Sequence, residues 1–340
     1  MEASAEILLD VRDLTVEFAT QAGPLRAVDG VDLHVDRREI VGLVGESGSG
    51  KSTVGLSLMR LLPPAATIDP GSLVVLDGKD LVPLALPEMR RVRGNDISMT
   101  FQDPMTFLNP VLRIGPQITE AIREHQAVDD REARKMALEW IANVKITEPE
   151  RVYESYPFHL SGGMRQRILI AIALACNPSL LIADEPTTAL DVTIQREILE
   201  LMLSIRDGYG TSILLITHDL GVVSEVCDRI YVMYAGRIVE HGTVESVLVT
   251  PRNPYTTALL RSARSIDEFH PVLYALDGSV PSPLDLPSGC RFRDRCPEVH
   301  DRCHREPPLF EMPEGGASRC WLSGDVLASE GADGGTRVIA

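Results

Sequence analysis

The sequence predicts an α/β protein with a mostly parallel sheet covered by helices. Three observations carry that prediction. Short apolar runs at 40–44, 179–183 and 212–216 have the length and composition of strands buried on both faces. Helical stretches such as 131–144 lie between them, and alternating βα segments build parallel sheets. The first run, Ile40-Val41-Gly42-Leu43-Val44, leads straight into a glycine-rich turn.

Taken in order, residues 7–18 and 230–239 read as additional, partly antiparallel strands at either end of the alternation. Composition then shifts. Ten of the 23 prolines and four of the six cysteines fall in 251–322, which places a domain boundary near residue 250. The stretch 323–340, rich in Gly, Ser and acids, reads as a disordered tail. The expected organisation is therefore 1–250, 251–322 and a tail.

A chain of 340 residues has room for one large domain or two ordinary ones. Its 33 basic and 49 acidic side chains give a formal charge of −16, which argues against a general nucleic-acid binder. An apolar share of 44% and a charged share of 24% are those of a globular protein. The longest apolar run, 168–176, is nine residues, whereas a helical membrane span needs about 20. The start, MEASAEILLD, lacks the basic and apolar stretches of a signal peptide, so a cytosolic setting is expected. Structural disulfides are rare in that compartment, and the cysteines then need another explanation.

Gly45-Glu46-Ser47-Gly48-Ser49-Gly50-Lys51-Ser52, followed by Thr53, fits G-x-x-x-x-G-K-[ST] and follows a strand as that motif requires. Its glycines let successive backbone N–H groups converge into an anion nest. The next helix aims its positive end at the same point. Lys51 adds a full charge, and the Ser52 hydroxyl can ligate Mg²⁺. An ordinary Gly/Ser loop is the competing reading, and the full match behind a strand outweighs it. The apolar run of SLLIADE ends in Asp184, suited to Mg²⁺, and Glu185, suited to polarising water.

Ser161-Gly162-Gly163, within LSGGM, opens a long apolar helix and forms a second anion site. Gln102 lies between the phosphate loop and this segment; Asp191 lies six residues after Glu185; His218 ends the next buried strand. This ordered set resembles the ATPase subunit of an ATP-binding-cassette transporter, over residues 7–322. The resemblance implies a RecA-like parallel-sheet core, an antiparallel β subdomain, a helical subdomain at about 105–172 and a small Cys-rich C-terminal lobe. It implies two such ATPases packed head to tail around two ATP molecules. Gly45 to Thr53 and Phe18 would bind ATP, with Phe18 stacking on adenine. Ser52, Gln102 and Asp184 would hold Mg²⁺. Glu185 would be the catalytic base, with Gln102 and His218 at the γ-phosphate and water. Ser161, Gly162 and Gly163 would touch ATP bound to the partner, and Asp191 would communicate across the dimer.

The segments 101–110, Tyr156-Pro157, Pro254-Tyr255-Thr256 and 278–283 look like the peptide-importer subfamily, nearest to its dipeptide or oligopeptide D-type ATPase. Phe107, Phe158-His159 and Asn253 depart from its usual pattern, and none of them bears a chemical group of the reaction. The implied partners are a second ATPase subunit, two transmembrane permease subunits and, indirectly, an external peptide-binding protein. The implied place is the cytoplasmic face of a bacterial inner membrane.

Cys290, Cys296, Cys303 and Cys320 stand as C-x5-C-x6-C-x16-C in a Pro-rich segment. Zn²⁺ sites favour tighter pairs, so the wide spacing points to a [4Fe–4S] cluster, as does the subfamily resemblance. Zn²⁺ and free or disulfide-bonded thiols stay open as alternatives. Arginines 291, 293, 295, 302, 305 and 319 would offset the charge of a cluster. Cys176 and Cys227 read as core fillers. Two other functions compete with peptide import: a soluble cassette ATPase acting on ribosomes or DNA, and an importer of nickel or another small solute. The acidic charge and single cassette weigh against the first. A non-hydrolysing cassette is disfavoured by the presence of Glu185 and His218.

Overall fold

The computed structural model describes residues 6–188, 190–267, 276–312, 315–330 and 338–339. It divides into two compact units. One comprises Met1–Leu9, Val35–Ile40 and Val75–Leu215; the other comprises Asp10–His34, Val41–Val74 and Ile216–Ala340.

In the first unit the strands Ile97–Thr100 and Leu180–Asp184 pair in parallel, from Ile97↔Leu180 to Thr100↔Ala183. Both are wholly buried; Leu180–Asp184 is apolar up to its last residue, whereas Ile97–Thr100 alternates apolar side chains with the buried hydroxyls of Ser98 and Thr100. The helices Ile114–His125, Asp130–Asn143, Pro149–Tyr153 and Gly162–Leu174 pack on one another. Asp129 caps the second by accepting the Glu132 N–H. Arg167, nearly buried, donates to the Val144 carbonyl at 2.7 Å and pairs with Glu197 at 2.6 Å, so the end of one helix is tied to the start of another segment.

In the second unit the buried strand Ile40–Val44 pairs in parallel with Arg229–Tyr234, from Arg229↔Val41 to Val232↔Val44. Residues 230–239, expected to add partly antiparallel strand structure, form a hairpin. Ala235 and Gly236, at φ 44° and 87°, turn the chain back into Arg237–Thr243. Ala317–Ser318, Leu309–Glu311 and Val338–Ile339 continue outward in antiparallel pairing. Near the other end of the chain, Val16–Phe18 pairs antiparallel with Ile68–Ala66.

The apolar core of this unit runs through residue 250 without a break. Val44, Ile230, Val232 and Tyr234 share one cluster with Tyr255 and Phe292, and Leu276, Val280, Leu286, Cys290 and Cys296 pack against it. Tyr234, Tyr255 and Phe292 form a mutually contacting triad with centroids 4.5–5.3 Å apart. Each such buried ring contributes about 1.5–3 kcal/mol by burial. The expected tail also differs. Helix Trp321–Glu330 takes its first residues, anchored by Trp321 Nε1 on the Arg305 carbonyl at 3.1 Å and Ser323 Oγ on the Arg252 carbonyl at 2.9 Å. Residues 331–337 and 340 of that tail lie outside the described residues.

Candidate functional site

The phosphate loop leaves its strand through Gly45 at φ 153°. A Cβ there would lie 2.1 Å from the Met233 carbonyl oxygen, so only glycine fits. Gly50, at φ 107°, precedes the helix Lys51–Leu58, and a Cβ on it would lie 2.7 Å from the Ala27 carbonyl oxygen. Its N-cap residue, Gly50, has no side chain with which to cap this helix. Backbone bonds hold the loop from beneath: Gly236 N–H donates to the Ser49 carbonyl at 2.8 Å, and Asp29 N–H to the Gly236 carbonyl at 2.9 Å. The loop is thus fixed by a turn nearly 190 residues further along the chain.

Lys51 is 5% exposed. Its ammonium donates to the carbonyls of Gly45 at 2.7 Å and Glu46 at 3.0 Å, which keeps a full positive charge against the loop. Ser49 Oγ is buried with no hydrogen-bond partner, and Ser52 is exposed. Glu46 makes two contacts with the chain after residue 250. Its N–H donates to the Tyr255 hydroxyl at 2.9 Å, and its carboxylate accepts both Arg295 Nη1 at 2.7 Å and Nη2 at 2.9 Å.

In the other unit, the parallel pairing of Ile97–Thr100 with Leu180–Asp184 delivers two chain ends to one place. Glu185 follows the second strand at φ 47°, a left-handed conformation that non-glycine residues adopt at a cost of order 1–3 kcal/mol. Its Oε2 accepts Gln102 Nε2 at 3.2 Å and Thr188 Oγ1 at 2.7 Å. Asp184, one residue earlier, is buried at the strand end. Thr188 was not singled out in the sequence; a hydroxyl three residues after the acid is the signal that could have found it.

Ser161 caps the helix Gly162–Leu174, its Oγ accepting the Met164 N–H at 3.3 Å. Ser161 and Gly162 are exposed and Gly163 is buried. A Cβ on Gly163 would lie 2.6 Å from Ile194 Cγ2. Ile194 belongs to the helix Val192–Tyr209, whose cap is Asp191, accepting the Ile194 N–H at 3.0 Å. The structure therefore joins Ser161–Gly163 to Asp191 through one packed contact. His218 is exposed at the end of Ser212–Thr217, before the short helix Leu220–Val226 that Asp219 caps. Phe18 is half-buried on its strand, opposite Ala66.

Comparison with known proteins adds independent findings. A family model described as ABC transporter matches residues 28–188, and one described as the C-terminal region of oligopeptide/dipeptide transporters matches 239–303. The chain is 50% identical over 316 residues to the oligopeptide transport ATP-binding protein AppD of Bacillus subtilis, covering 93% of this chain and 96% of that one. The chain belongs to the ABC-transporter ATPase family. A probable peptide ABC transporter ATP-binding protein of Sinorhizobium fredii is 48% identical, over 95% of this chain and 97% of its own length. A solved dimeric ATP-binding cassette with bound ADP and Pi aligns at a TM-score of 0.61 and 28% identity, covering 69% of this chain and 98% of that one.

As an ABC ATPase the chain binds ATP and hydrolyses it. Among the described residues, no helix is long and apolar enough to cross a membrane.

The cysteine expectation is corrected. Cys290, Cys296, Cys303 and Cys320 are free thiols. Among the described residues no three His, Cys, Asp or Glu side chains form a group able to hold a metal ion. Neither a [4Fe–4S] cluster nor Zn²⁺ fits, and the relatives bear the names of ATP-binding proteins. Cys290 and Cys296 pack against the apolar core, and burial pushes the thiols of Cys290, Cys296 and Cys320 up to about 11. The arginines assigned to a cluster have other partners. Arg295 binds Glu46, Arg291 binds Asp29 and the Ala235 carbonyl, Arg293 binds Ser288, and Arg302 pairs with Asp325.

Proposed function

We propose that this ABC ATPase is the energy-coupling subunit of a bacterial peptide importer, working at the cytoplasmic face of the inner membrane. The observation that carries the peptide reading is the transporter C-terminal region at 239–303, which packs into the same core as the phosphate-loop strand. The names of the similar proteins support it. Its partners are a second ATPase subunit, two membrane permease subunits and an external peptide-binding protein.

In this reading the substrate is MgATP. The loop amides, with Lys51, Ser52 and Thr53, hold the phosphates, and Phe18 stacks on adenine. Ser52, Gln102 and Asp184 would hold the Mg²⁺ that arrives with the nucleotide, and the ion would neutralise phosphate charge. Glu185 takes a proton from water, the water oxygen bonds to the γ-phosphorus, and the bond to the bridging β–γ oxygen breaks to give ADP and phosphate. The hydrogen bonds from Gln102 and Thr188 to Oε2 support the role of Glu185, because they fix the orientation of its carboxylate. His218 orients the water and γ-phosphate. Ser161, Gly162 and Gly163 engage the nucleotide of the partner ATPase, and the Gly163–Ile194 contact supports Asp191 as the link between that engagement and the chain's own reaction.

The test is Glu185→Gln in the assembled transporter. Turnover is expected to fall about 100–1000-fold with ATP binding retained. Unchanged hydrolysis would remove Glu185 as the base. Uptake of a radiolabelled peptide, abolished by the same substitution, is the expected result for the substrate class; nickel uptake in its place would overturn the peptide reading.

A further inference from the structure

Glu46 is the second residue of the phosphate loop, and a carboxylate beside an anion nest opposes a polyanionic ligand. Its charge is taken up by Arg295. The pair is bidentate, at 2.7 and 2.9 Å, in the fork geometry that fixes direction as well as distance. Arg295 is itself held before it meets Glu46. Its side chain is 8% exposed and donates to the carbonyls of Asp277 at 2.8 Å and Leu276 at 3.4 Å and to the Tyr234 hydroxyl at 3.3 Å. The guanidinium also lies 5.8 Å from the Tyr234 ring centroid and 6.0 Å from that of Phe292. Little rotamer entropy is left to lose when it binds Glu46.

Two further contacts act on the same turn. The Glu46 N–H is engaged by the fully buried Tyr255, so this amide faces the C-terminal segment and not the nest. Arg291 binds the Ala235 carbonyl and Asp29, bracing the turn whose Gly236 N–H supports Ser49. A loop this rich in glycine loses much conformational freedom when ordered, and every restraint supplied in advance is a cost removed from ligand binding.

We propose that Arg295 is a positioning residue for MgATP: by neutralising and orienting Glu46, the C-terminal segment sets the nucleotide affinity of its own chain's phosphate loop. The proposal rests on residues 45–52 being the nucleotide site. Arg295 takes no part in the chemistry, so its removal changes KM and spares kcat.

The test measures kcat and KM for MgATP in the assembled transporter. Arg295→Ala is expected to raise KM about tenfold with kcat within about twofold, as for loss of a charge-assisted pair. Arg295→Lys keeps the charge and loses the fork, so an intermediate rise of about threefold is expected. In a Glu46→Gln background, Arg295→Ala is expected to add less than about twofold, because the charge it neutralised is gone. An unchanged KM in both arginine variants, or the same tenfold rise in both backgrounds, would overturn the proposal. If Arg295→Ala does not assemble, equilibrium binding of a fluorescent ATP analogue to Arg295→Lys decides it, and unchanged affinity overturns it. Lys51→Ala separates the two readings. Normal MgATP binding in that variant removes the loop as the site, whereas lost binding there with unchanged Arg295 variants removes Arg295 alone.

Discussion

The phosphate loop and the Ser161–Gly163 turn are both glycine-rich helix starts, and they are built to opposite plans. The first is over-determined. Its glycines are packed against carbonyl oxygens of Met233 and Ala27, its lysine is buried, and its second residue is gripped by Tyr255 and Arg295. Its helix has no side-chain cap. The second is exposed at Ser161 and Gly162, has its cap supplied by Ser161, and faces the movable side chains of Leu190 and Ile194. The difference teaches how each serves an anion. The loop is held in a rigid frame, as a permanent binding site needs. The turn supplies its own cap and stays exposed, which fits the proposal that it meets a nucleotide only in an assembly.

Three substitutions probe this contrast, from the largest expected effect to the smallest. Gly45→Ala sets a methyl group 2.1 Å from a backbone oxygen that cannot rotate away. More than about 3 kcal/mol of stability should be lost, together with MgATP binding, in thermal melts and nucleotide titrations. A folded variant that still binds would show that the frame is softer than its contacts. Gly163→Ala meets a side chain instead, 2.6 Å from Ile194 Cγ2. A loss of about 1–3 kcal/mol is expected, with most of it restored by adding Ile194→Ala. No restoration would mean the turn is held by something other than that contact. Ser161→Ala removes one cap, a loss of about 1 kcal/mol. Turnover in the assembled transporter should nevertheless fall about tenfold or more, the effect of deleting a donor at a phosphate. A fall no larger than the stability change would reduce Ser161 to a helix cap.

Local features were legible in the sequence. The strand at 40–44, the glycine turn and the buried run ending at Asp184 are each written in a few consecutive residues, because buried parallel strands and anion nests have local composition rules. Features set by distant partners were not. Glu46 and Arg295 are 249 positions apart, and no spacing rule connects them. The left-handed backbone at Glu185 leaves no trace in residue type. The hairpin at 235–236 was not placed because Gly236 is a lone turn signal inside an apolar run, and its neighbour Ala235, at φ 44°, adds none. The cysteines misled for a related reason. Spacing suggested a metal staple, but a segment that packs on Tyr234 and Tyr255 already has a core, and Cys290 and Cys296 are part of that packing.

The Tyr234–Tyr255–Phe292 triad has a consequence for dissecting the protein. A cut at residue 250 looks natural on paper, since proline density and the family match both change near there. Such a fragment would keep every nucleotide motif and lose the roof over its central strand. Tyr234, wholly buried in the intact chain, would face water with no lid, and Glu46 would stand unopposed on the loop. The minimal ATPase of this protein is therefore longer than its catalytic motifs, and a trimmed version would report on damage before it reported on function.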